Sequence, residues 1–520
     1  MQLVIPMSGT GKRFQEKGYR IPKPLIPISG KPIVQHVVEM YPGVEEILFI
    51  VNRRHFEDPE LQLEKELRKF APNAQIAVID SHNLGPGWAI KEASEYIDLS
   101  SSVVVNYCDF ACLWDFNAFR SQLESGIDGL IATYTGFHPH MIRNSKYAYL
   151  SLDNSGRLTD IREKLSFTIN PMSEHASSGT YGFATGKILI RAIENQISNA
   201  DSFNDEFYIS LTYKNMISSG LDIRNFEIEK FFQWGTPEDF EEFKWQKEFF
   251  TRKSTNKSKD IDVDRIEILA AGEGKRFSRA GYRVIKPCLP VGEDFLATTA
   301  LNSMGEPLLS KGILLQKGFA IPDRFEKVLS RDHIEIRSVE GLTKGQAQSA
   351  LIALAAESVG SCIVGTCDSL VFPGAQFKSP RRGKTIYVWV TRPTEYATQN
   401  PEQFGWVILD RDGRVSDSWV KEKPLTKDET YVITGTFYFG DDVQASSLIR
   451  TFLDEGETVN GEYYLDSLLG FAAQEGWKVF GVIPDLFVSL GTPDEYETYR
   501  YWESVFQIRP DLLVNDDSPS

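Results

Sequence analysis

Residues Met7–Phe14 have the sequence MSGTGKRF, and residues Ala270–Phe277 have the closely similar sequence AAGEGKRF. The first stretch begins at the end of the apolar run LVIPM, which predicts a buried strand leading directly into a glycine loop. Small residues in such a loop let backbone N–H groups approach phosphate oxygens closely. The two stretches therefore predict two phosphate-binding loops of the same kind.

Neither loop fits the two best-known glycine-loop patterns. A P-loop requires Ser or Thr after Gly-Lys, because the hydroxyl binds Mg²⁺, but Arg13 and Arg276 stand there. A dinucleotide-binding loop requires a third glycine, but Phe14 and Phe277 occupy that position. The guanidinium of Arg13 offers a fork of donors, and Lys23, between two prolines, offers a second cation. This combination suits a departing pyrophosphate.

The glycine loop is the first of several motifs that occur twice in the same order. The other pairs are PKPLIPI and IKPCLPV, VVVNYCDF and CIVGTCDS, IREKL and VKEKP, SSGTYGFATG and VITGTFYFGD, NDEFYIS and NGEYYLD, and QWGTPEDFEEF and SLGTPDEYETY. Matched motifs in one order predict two copies of a single domain. The predicted segments are a first domain over 1–250, a polar linker over 251–264, a second domain over 265–508 and a flexible tail over 509–520.

Within the first copy, strand-like and helix-like patterns alternate. The apolar runs LVIPM, EILFIV, AQIAVI and SSVVVNY are typical of buried strands, and KPIVQHVVEMY has its apolar residues near helical spacing. Such alternation predicts an α/β fold with a mainly parallel central sheet flanked by helices, a Rossmann-like domain present twice. Ligands of these folds bind at the carboxyl ends of the strands.

Composition excludes several classes of protein. The 520 residues are 42% hydrophobic and 25% charged, with a formal net charge of -16, which argues against nucleic acid as a partner. No apolar run reaches the roughly 20 residues of a membrane span, and the N-terminus lacks the basic region of a signal peptide. The five cysteines form no C-x-x-C pair, so we expect reduced thiols and a cytoplasmic protein.

The stretch MSGTGKRFQEKGYRIPKPLIPISGKPIVQHVV resembles the sugar-nucleotide pyrophosphorylases, the nucleotidyltransferases related to the glucose-1-phosphate thymidylyltransferases. The resemblance recurs from Ile266 and covers nearly all of both halves. It implies a condensation in which a nucleoside triphosphate and a phosphorylated acceptor give an activated conjugate and pyrophosphate. It also implies Mg²⁺ as cofactor, with Asp109 and Asp368 as its carboxylate ligands, because hard cations prefer oxygen.

The resemblance assigns further roles residue by residue. The cations that contact the phosphates are Arg13, Lys23, Arg276 and Lys286. The nucleotide-binding residues are Ser8, Gly9, Thr10, Gly11, Gly87, Ala271, Gly272, Gly274, Gly345 and Gln346. The acceptor-binding residues are Glu163, Lys164, Gly179, Glu422, Lys423 and Gly435, in which the lysines pair with the acceptor phosphate.

The loops NLGPGWAIKEA and LTKGQAQSA are similar to the base-binding loop of this family. Aligned by sequence, they place Trp88 against Gln346, so the two sites need not treat the nucleotide alike. Gln346 has the groups to read the edge of a base by hydrogen bonds. For Trp88, a site residue and a core residue are equally open.

One departure from the family concerns the metal. Many members carry an Asp two residues before the late Gly-Thr, as a second metal ligand, where this chain has Gln233 and Ser489. Neither side chain supplies the charge of a carboxylate. The departure puts a second protein ligand in doubt, and with it a sugar 1-phosphate as the acceptor, so cytidylyl transfer to a non-sugar phosphate such as phosphocholine stays open.

We expect a nucleotidyltransferase that makes an NDP- or CDP-activated precursor for a capsule or other surface glycan. A non-catalytic regulator that binds a sugar nucleotide is the alternative from another class. The sequence also leaves open the base, the acceptor, whether the two copies have different substrates, and whether the protein is a homo-oligomer.

Overall fold

The computed structural model describes residues 1–142, 147–255, 260–355, 360–374, 377, 380–393, 397–398, 400–422 and 430–514. The contacts between residues divide the chain into two compact units. The first comprises Met1–Thr251 and the described part of Ser504–Ser520, and the second comprises Arg252–Glu503.

The described residues of the first unit form thirteen strands. They are β1 (Gln2–Met7), β2 (Pro27–Ile28), β3 (Lys31–Pro32), β4 (Glu46–Asn52), β5 (Gln75–Ile79), β6 (Val103–Asn106), β7 (Phe110–Leu113), β8 (Gly129–Tyr134), β9 (Ala148–Leu152), β10 (Leu158–Glu163), β11 (His175–Phe183), β12 (Ile223–Glu227) and β13 (Lys230–Gln233). The helices are α1 (Lys12–Glu16), α2 (Ile33–Glu39), α3 (Arg53–Glu57), α4 (Leu63–Arg68), α5 (Gly85–Glu92), α6 (Phe116–Leu123), α7 (Gly186–Ser198), α8 (Ile209–Ser218) and α9 (Pro237–Thr255).

The second unit repeats this order. Its strands are β14 (Arg265–Leu269), β15 (Pro290–Val291), β16 (Asp294–Phe295), β17 (Ser310–Gln316), β18 (Ile334–Val339), β19 (Cys362–Thr366), β20 (Ser369–Phe372), β21 (Thr385–Thr391), β22 (Gly405–Leu409), β23 (Val415–Val420), β24 (Thr430–Phe439), β25 (Lys478–Val482) and β26 (Leu486–Ser489). Its described helices are α10 (Lys275–Arg279), α11 (Leu296–Ser303), α12 (Asp323–Arg331), α13 (Gln346–Leu354), α14 (Asp442–Glu455), α15 (Leu465–Gln474) and α16 (Pro493–Ile508).

Each unit is built on a nine-stranded mixed sheet, and the two sheets have the same strand order. The first is β5-β4-β1-β6-β11-β8-β12, with β9 and β10 added beside β11, and the second is β18-β17-β14-β19-β24-β21-β25, with β22 and β23 added beside β24. The strands β5, β4, β1 and β6 are parallel, whereas β11 is antiparallel to both of its neighbours. The predicted α/β fold, with a largely parallel centre and two tandem copies, is confirmed.

The buried strands explain why the glycine loops lie where they do. Every residue of β1 is buried, as expected for a central parallel strand that is covered by helices on both faces. The glycine loop begins where this buried strand ends, at the edge of the sheet. A small antiparallel pair, β7 with β13, then holds Gln233 opposite Phe110, directly after Asp109.

Two predicted segments differ from the structure. The predicted linker over 251–264 begins inside α9, which ends at Thr255, and its residues 256–259 lie outside the described residues. The predicted flexible tail over 509–520 contains a 3-10 helix at Pro510–Leu513, in which Leu512 is fully buried and its carbonyl accepts a 2.7 Å hydrogen bond from Ser29 Oγ. The apolar residues before the polar end of the chain explain this order, and residues 515–520 lie outside the described part. Among the described residues, none of the helices is long and apolar enough to cross a membrane.

Candidate active site

The glycine loop of each unit turns sharply at its second glycine. Gly11 has φ +67° and Gly274 has φ +62°, a left-handed conformation that glycine adopts at no steric cost. The phenylalanine in place of a third glycine is buried and anchors the loop. The ring of Phe14 packs edge-on against Tyr19 and Phe240, with centroids 5.3 and 6.2 Å away. The aromatic contact therefore replaces the close helix–strand packing that a third glycine would give.

A cleft of about 420 Å³ opens beside this loop in the first unit. The predicted residues that line it are Ser8, Gly9, Thr10, Gly11, Arg13, Lys23 and Asp109. Further lining residues are His82, Asn83, Gly85, Pro86, Tyr107, Glu206 and Tyr208. The structure thus brings the predicted phosphate-binding and metal-binding residues of this unit to one place, at the carboxyl end of β1.

A lysine and an aspartate form an ion pair at the centre of each site. Lys23 Nζ lies 2.7 Å from Asp109 Oδ2, and Lys286 Nζ lies 2.5 Å from Asp368 Oδ2. Burial lowers the pKa of both lysines, but the adjacent carboxylates more than offset it, so each pKa is raised above its usual value. Burial likewise raises the pKa of Asp368, but the charge of Lys286 together with hydrogen bonds from Lys286 and Thr366 holds the pKa below its usual value. Both sites therefore keep a charged lysine in contact with an aspartate.

The carboxylate of Asp109 shares a narrow space with the amide of Gln233. A Cβ placed on Gly235 would lie 2.7 Å from Asp109 Oδ2 and 2.7 Å from Gln233 Nε2, so the two side chains converge on this glycine. In the second unit, a Cβ on Gly491 would lie 3.3 Å from Asp368 Oδ2 and 3.5 Å from Ser489 Oγ. The residue type that departs from the family pattern thus stands next to the predicted metal ligand in both units.

No group of three or more His, Cys, Asp or Glu side chains within the described ranges is arranged to hold a metal ion. A single strand-end carboxylate fits Mg²⁺ that is bound mainly by substrate phosphates and water, because Mg²⁺ keeps several waters and needs few protein ligands. The donor set of Asp109 with a neighbouring amide is consistent with that kind of site.

The two loops predicted to bind the base are equivalent in the structure in a different register from the one that the sequence alignment gave. The amide of Gly87 donates to the Phe207 carbonyl at 2.8 Å, and the amide of Ala347 donates to the equivalent Tyr463 carbonyl at 3.0 Å. The register therefore sets Gly85 against Gly345, Pro86 against Gln346, Gly87 against Ala347 and Trp88 against Gln348. The predicted pairing of Trp88 with Gln346 was displaced by two residues.

This register changes what the small residues do. Gly87 is buried, and a Cβ there would lie 2.8 Å from the Phe207 carbonyl, so its role is close packing of α5. Within α5, Gly85 and Pro86 line the cleft. In the second unit, Gln346 takes the position of Pro86. Trp88 stacks on Phe207, with centroids 6.2 Å apart, and lies outside the cleft lining.

The predicted acceptor residues of the first unit do not themselves line the cleft, but they contact residues that do. Lys164 Nζ donates to the hydroxyl of Tyr208 at 2.6 Å, and Tyr208 lines the cleft. Glu163 is buried and accepts a 2.6 Å hydrogen bond from Ser210 Oγ, and its burial raises its pKa. Gly179 has φ +97° and packs against the ring of Tyr107, so it allows a close approach of the backbone beside the cleft.

The acceptor side of the second unit contradicts the predicted pairing. Lys164 and Lys421 both follow the last residue of a strand, have φ +57° and +55°, and donate their amides to the equivalent carbonyls of Tyr147 and Phe404. Lys421, and not Lys423, is therefore the counterpart of Lys164. Glu422 is exposed and does not take the place of the buried Glu163, and Lys423 lies outside the described residues.

Sequence reasoning missed the tyrosine that contacts the acceptor-side lysine, which is Tyr208 in the first unit and Tyr464 in the second. Hydrogen bonding to Glu206 and burial both raise the pKa of Tyr208, with burial the larger cause, and the same two causes with Glu462 raise the pKa of Tyr464. Lys421 Nζ lies 4.7 Å from the ring centroid of Tyr464, as expected for a lysine that partners it. The repeated motifs NDEFYIS and NGEYYLD contain these residues and were the signal that could have revealed them.

Gly435, the predicted counterpart of Gly179, has φ +81° and packs against Thr366. In the glycine loop of the second unit, Ala271 is buried, whereas a Cβ on Gly272 would meet no atom within 4 Å. Arg13 and Arg276 are both exposed at the start of the short helices after the loops. The arginines of both glycine loops are therefore accessible to solvent.

Residues 3–242 match the sequence profile of the nucleotidyl transferase family. The bifunctional protein GlmU of Methanocaldococcus jannaschii is 25% identical over 184 residues, which is 35% of this chain and 40% of that protein. The bifunctional protein GlmU of Clostridioides difficile is 27% identical over 229 residues, which is 43% of this chain and 46% of that protein. The chain therefore matches less than half the length of these curated relatives.

Among solved structures, the nucleoside-diphosphate-sugar pyrophosphorylase from Vibrio cholerae is similar with a TM-score of 0.39 and 20% identity, over 46% of this chain and 98% of that one. The inositol-1-phosphate CTP transferase from T. maritima is similar with a TM-score of 0.37 and 18% identity, over 47% of this chain and 97% of that one.

Proposed function

Because residues 3–242 belong to the nucleotidyl transferase family, we propose that this protein joins a nucleoside triphosphate to a small phosphorylated acceptor and releases pyrophosphate. The observation that carries the proposal is the cleft of the first unit. The glycine loop, Lys23 and Asp109 line it, and Tyr208, which bonds Lys164, lines it as well. The proposed nucleotide-binding residues and the tyrosine next to the proposed acceptor lysine thus share one cleft, and the second unit repeats the glycine loop, the Lys–Asp pair and the contact of Lys421 with Tyr464.

In the proposed reaction, a phosphate oxygen of the acceptor attacks the α-phosphorus of the nucleotide. The new bond joins that oxygen to the α-phosphorus, and the bond to the bridging oxygen of the β-phosphate breaks. The electron pair leaves with pyrophosphate. Catalysis is then mainly positioning and charge neutralisation, which suits a site built from backbone amides and cations.

Individual residues divide this work. The loop amides and Arg13 hold the departing phosphates, and Lys23 moves from Asp109 to an oxygen of the reacting phosphates. Lys164, held by Tyr208, binds the phosphate of the acceptor. Mg²⁺, held by Asp109 and the substrate phosphates, would supply further neutralisation of the phosphate charge. The Lys23–Asp109 pair raises the pKa of Lys23 and holds the two side chains together before the substrate arrives.

The same proposal extends to the cell. All five cysteines are free and buried, which suits the reducing cytoplasm where nucleoside triphosphates are made. The product belongs with activated precursors of a capsule or other surface glycan, a proposal supported by the likeness of NYCDF and QWGTPEDFEEF to family members of that kind. Gln233 and Ser489, in place of a carboxylate, favour keeping phosphocholine and similar non-sugar phosphates among the acceptors.

The test is pyrophosphate release by the full-length protein. CTP, UTP, GTP, ATP and dTTP would each be combined with hexose 1-phosphates, inositol 1-phosphate, phosphoethanolamine and phosphocholine, with Mg²⁺ or with EDTA. We expect release with at least one pair, loss with EDTA, and loss in the Asp109→Asn/Asp368→Asn double variant. Nucleotide binding without release from any pair would contradict the proposal and favour a regulatory protein.

A further inference from the structure

The two units carry their acceptor-side carboxylate on different elements. Strands β10 and β23 pair identically with β9 and β22, so that Glu163 lies opposite Ala148 and Val420 lies opposite Gly405. Helices α8 and α15 begin at equivalent residues, directly after Tyr208 and Tyr464. Equivalent positions can therefore be compared side chain by side chain around the lysine that follows each strand.

In the first unit, the side chains near Lys164 form a network of polar groups. Glu163 on the strand accepts from Ser210 on the helix at 2.6 Å. Ser177 donates to the hydroxyl of Tyr181 at 3.0 Å, and the amide of Gly179 donates to Ser177 Oγ at 3.2 Å. These side chains are buried beside the cleft-lining Tyr107 and Tyr208. These groups bond to one another next to the two cleft-lining tyrosines, so the acceptor side of the first unit is backed by polar groups.

In the second unit, three of the four equivalent positions are apolar. The positions of Glu163, Ser177 and Tyr181 hold Val420, Ile433 and Phe437. The fourth, equivalent to Ser210, holds Asp466, the first acidic residue of α15. The carboxylate is therefore on the helix instead of the strand, and the hydroxyl groups of Ser177, Tyr181 and Ser210 have no counterpart at these four positions.

The backbone has space for this arrangement. A Cβ on Gly405 would collide with the carboxylate of Asp466, whereas the first unit has Ala148 at that position beside the small Ser210. Burial raises the pKa of Asp466 to about 7, and the charge of Lys421 acts in the opposite direction. Asp466 thus lies near the lysine that we assign to the acceptor phosphate, and at the equivalent described positions it has apolar side chains in place of the hydroxyl partner of Glu163.

We propose that Asp466 determines the acceptor specificity of the second unit, which takes a phosphorylated acceptor with one hydrogen-bond-donating group, an amine or a hydroxyl, and little other polar surface. The first unit, by contrast, takes an acceptor with several hydroxyls. This inference rests on the proposed nucleotidyltransferase function and assigns a different acceptor class to each half. A lone carboxylate accepts one donor well, but apolar neighbours leave further hydroxyls of an acceptor without partners, which costs binding free energy.

The test uses full-length protein in which Asp109→Asn silences the first unit. Acceptor binding is measured by calorimetry, and turnover by pyrophosphate release, with glucose 1-phosphate as the hydroxyl-rich probe and phosphoethanolamine as the single-donor probe. We expect the second unit to prefer phosphoethanolamine. Asp466→Asn should raise the KM of that acceptor about 10-fold or more and leave the KM of the nucleotide unchanged. An Asp466→Ser/Val420→Glu variant, which restores the pattern of the first unit, should shift preference toward glucose 1-phosphate.

Several results would overturn the inference without touching the proposed function. One is an unchanged acceptor KM in Asp466→Asn while Asp368→Asn abolishes the same turnover. Others are a second unit that prefers glucose 1-phosphate, or a second unit that binds neither probe while the first unit is active. By contrast, wild-type protein that releases no pyrophosphate with any nucleotide and acceptor would count against the proposed function itself. A normal thermal unfolding midpoint for each variant separates these results from misfolding.

Discussion

Gly235 sets how much room the predicted metal ligand of the first unit has. A Cβ there would lie 2.7 Å from both Asp109 Oδ2 and Gln233 Nε2, which is closer than nonbonded heavy atoms approach without movement. The equivalent Gly491 has its nearest neighbour at 3.3 Å, so the second unit has more space at the same point. A methyl group added at this glycine would therefore be more crowded in the first unit than in the second.

We predict that Gly235→Ala lowers turnover by the first unit at least 10-fold, because the new methyl group displaces the Asp109 carboxylate or the Gln233 amide. Gly491→Ala is the matched control and should lower turnover by the second unit less than threefold, since its neighbours need to shift by only a few tenths of an ångström. Pyrophosphate release measured in the Asp368→Asn and Asp109→Asn backgrounds separates the units. Equal losses in the two units would show that the crowding at Gly235 has no functional consequence.

At the scale of elements, His140 in the 3-10 helix Pro139–Ile142 and His138 just before that helix are both buried next to Tyr134 of β8. The hydroxyl of Tyr134 lies 3.0 Å from His140 Nε2, and the ring of His138 lies 4.5 Å from that of Tyr134. Burial lowers the pKa of His138 to about 4 and lowers that of His140 well below its usual value. Both rings are therefore neutral in the folded protein at neutral pH.

The sign of the pH effect follows from these directions. Unfolded histidine has a pKa of about 6.5, so below that pH the unfolded chain binds protons that the folded chain does not. The stability that these histidines contribute is complete above about pH 6.5 and is lost as pH falls toward 4. We predict that His138→Phe reduces the slope of unfolding free energy against pH between 6.5 and 4 by up to about 1.4 kcal/mol per pH unit. Urea unfolding at several pH values measures this, and an unchanged slope would contradict it.

A second feature at this scale is a charged cluster inside the second sheet. Glu267 on β14 is fully buried. Its carboxylate accepts a 3.0 Å hydrogen bond from Arg337 Nε and a 3.4 Å hydrogen bond from Arg265 Nη1. A Cβ on Gly312 of the neighbouring strand would collide with this carboxylate, so glycine makes the space for it. The matching position of the first sheet is the apolar Val4.

We predict that Glu267→Gln destabilises the second unit by about 1–3 kcal/mol, because Arg265 and Arg337 each lose one buried carboxylate partner, although Asp442 and Glu335 remain paired with them. The Glu267→Leu/Arg337→Leu variant should recover much of that loss, since Arg265 keeps its 2.9 Å pair with Asp442. Hydrogen exchange of β14, β17 and β18 reports the change, and β1, β4 and β5 serve as the internal control. Equal exchange in wild type and Glu267→Gln would contradict the prediction.

The elements also show where sequence reasoning succeeds and where it fails. The repeat, the strand that leads into the glycine loop, and the meeting of that loop with Lys23 and Asp109 follow from local patterns, because strand ends of a parallel sheet share one edge. The pairing of Lys164 with Lys423 followed from matching letters, Glu-Lys with Glu-Lys. The structure instead aligns the residue that leaves the strand, and this is Lys421, because register is set by backbone hydrogen bonds. The matched motifs NDEFYIS and NGEYYLD did set Asp466 against Ser210, but only the strand register shows that Val420 stands where the first unit has Glu163.

At the scale of the whole molecule, the two units share strand order, loop geometry and the central Lys–Asp pair. They differ at Pro86 against Gln346 and at Glu163 against Val420, positions that we propose lie near the base and the acceptor. The residues proposed to hold phosphates are retained in both units. We infer two working sites with different substrates from this pattern.

This reasoning predicts the behaviour of the two aspartate variants made separately. Asp109→Asn should reduce turnover of one nucleotide and acceptor pair at least 100-fold and leave a second pair within about twofold, and Asp368→Asn should show the reverse, because each carboxylate serves its own phosphates. Only the double variant should be inactive with every pair. Pyrophosphate release with the two best substrate pairs, measured for all four proteins, gives the answer. If either single variant abolishes all turnover while its unfolding midpoint is unchanged, the protein has one working site, and the retained pair in the other unit serves binding alone.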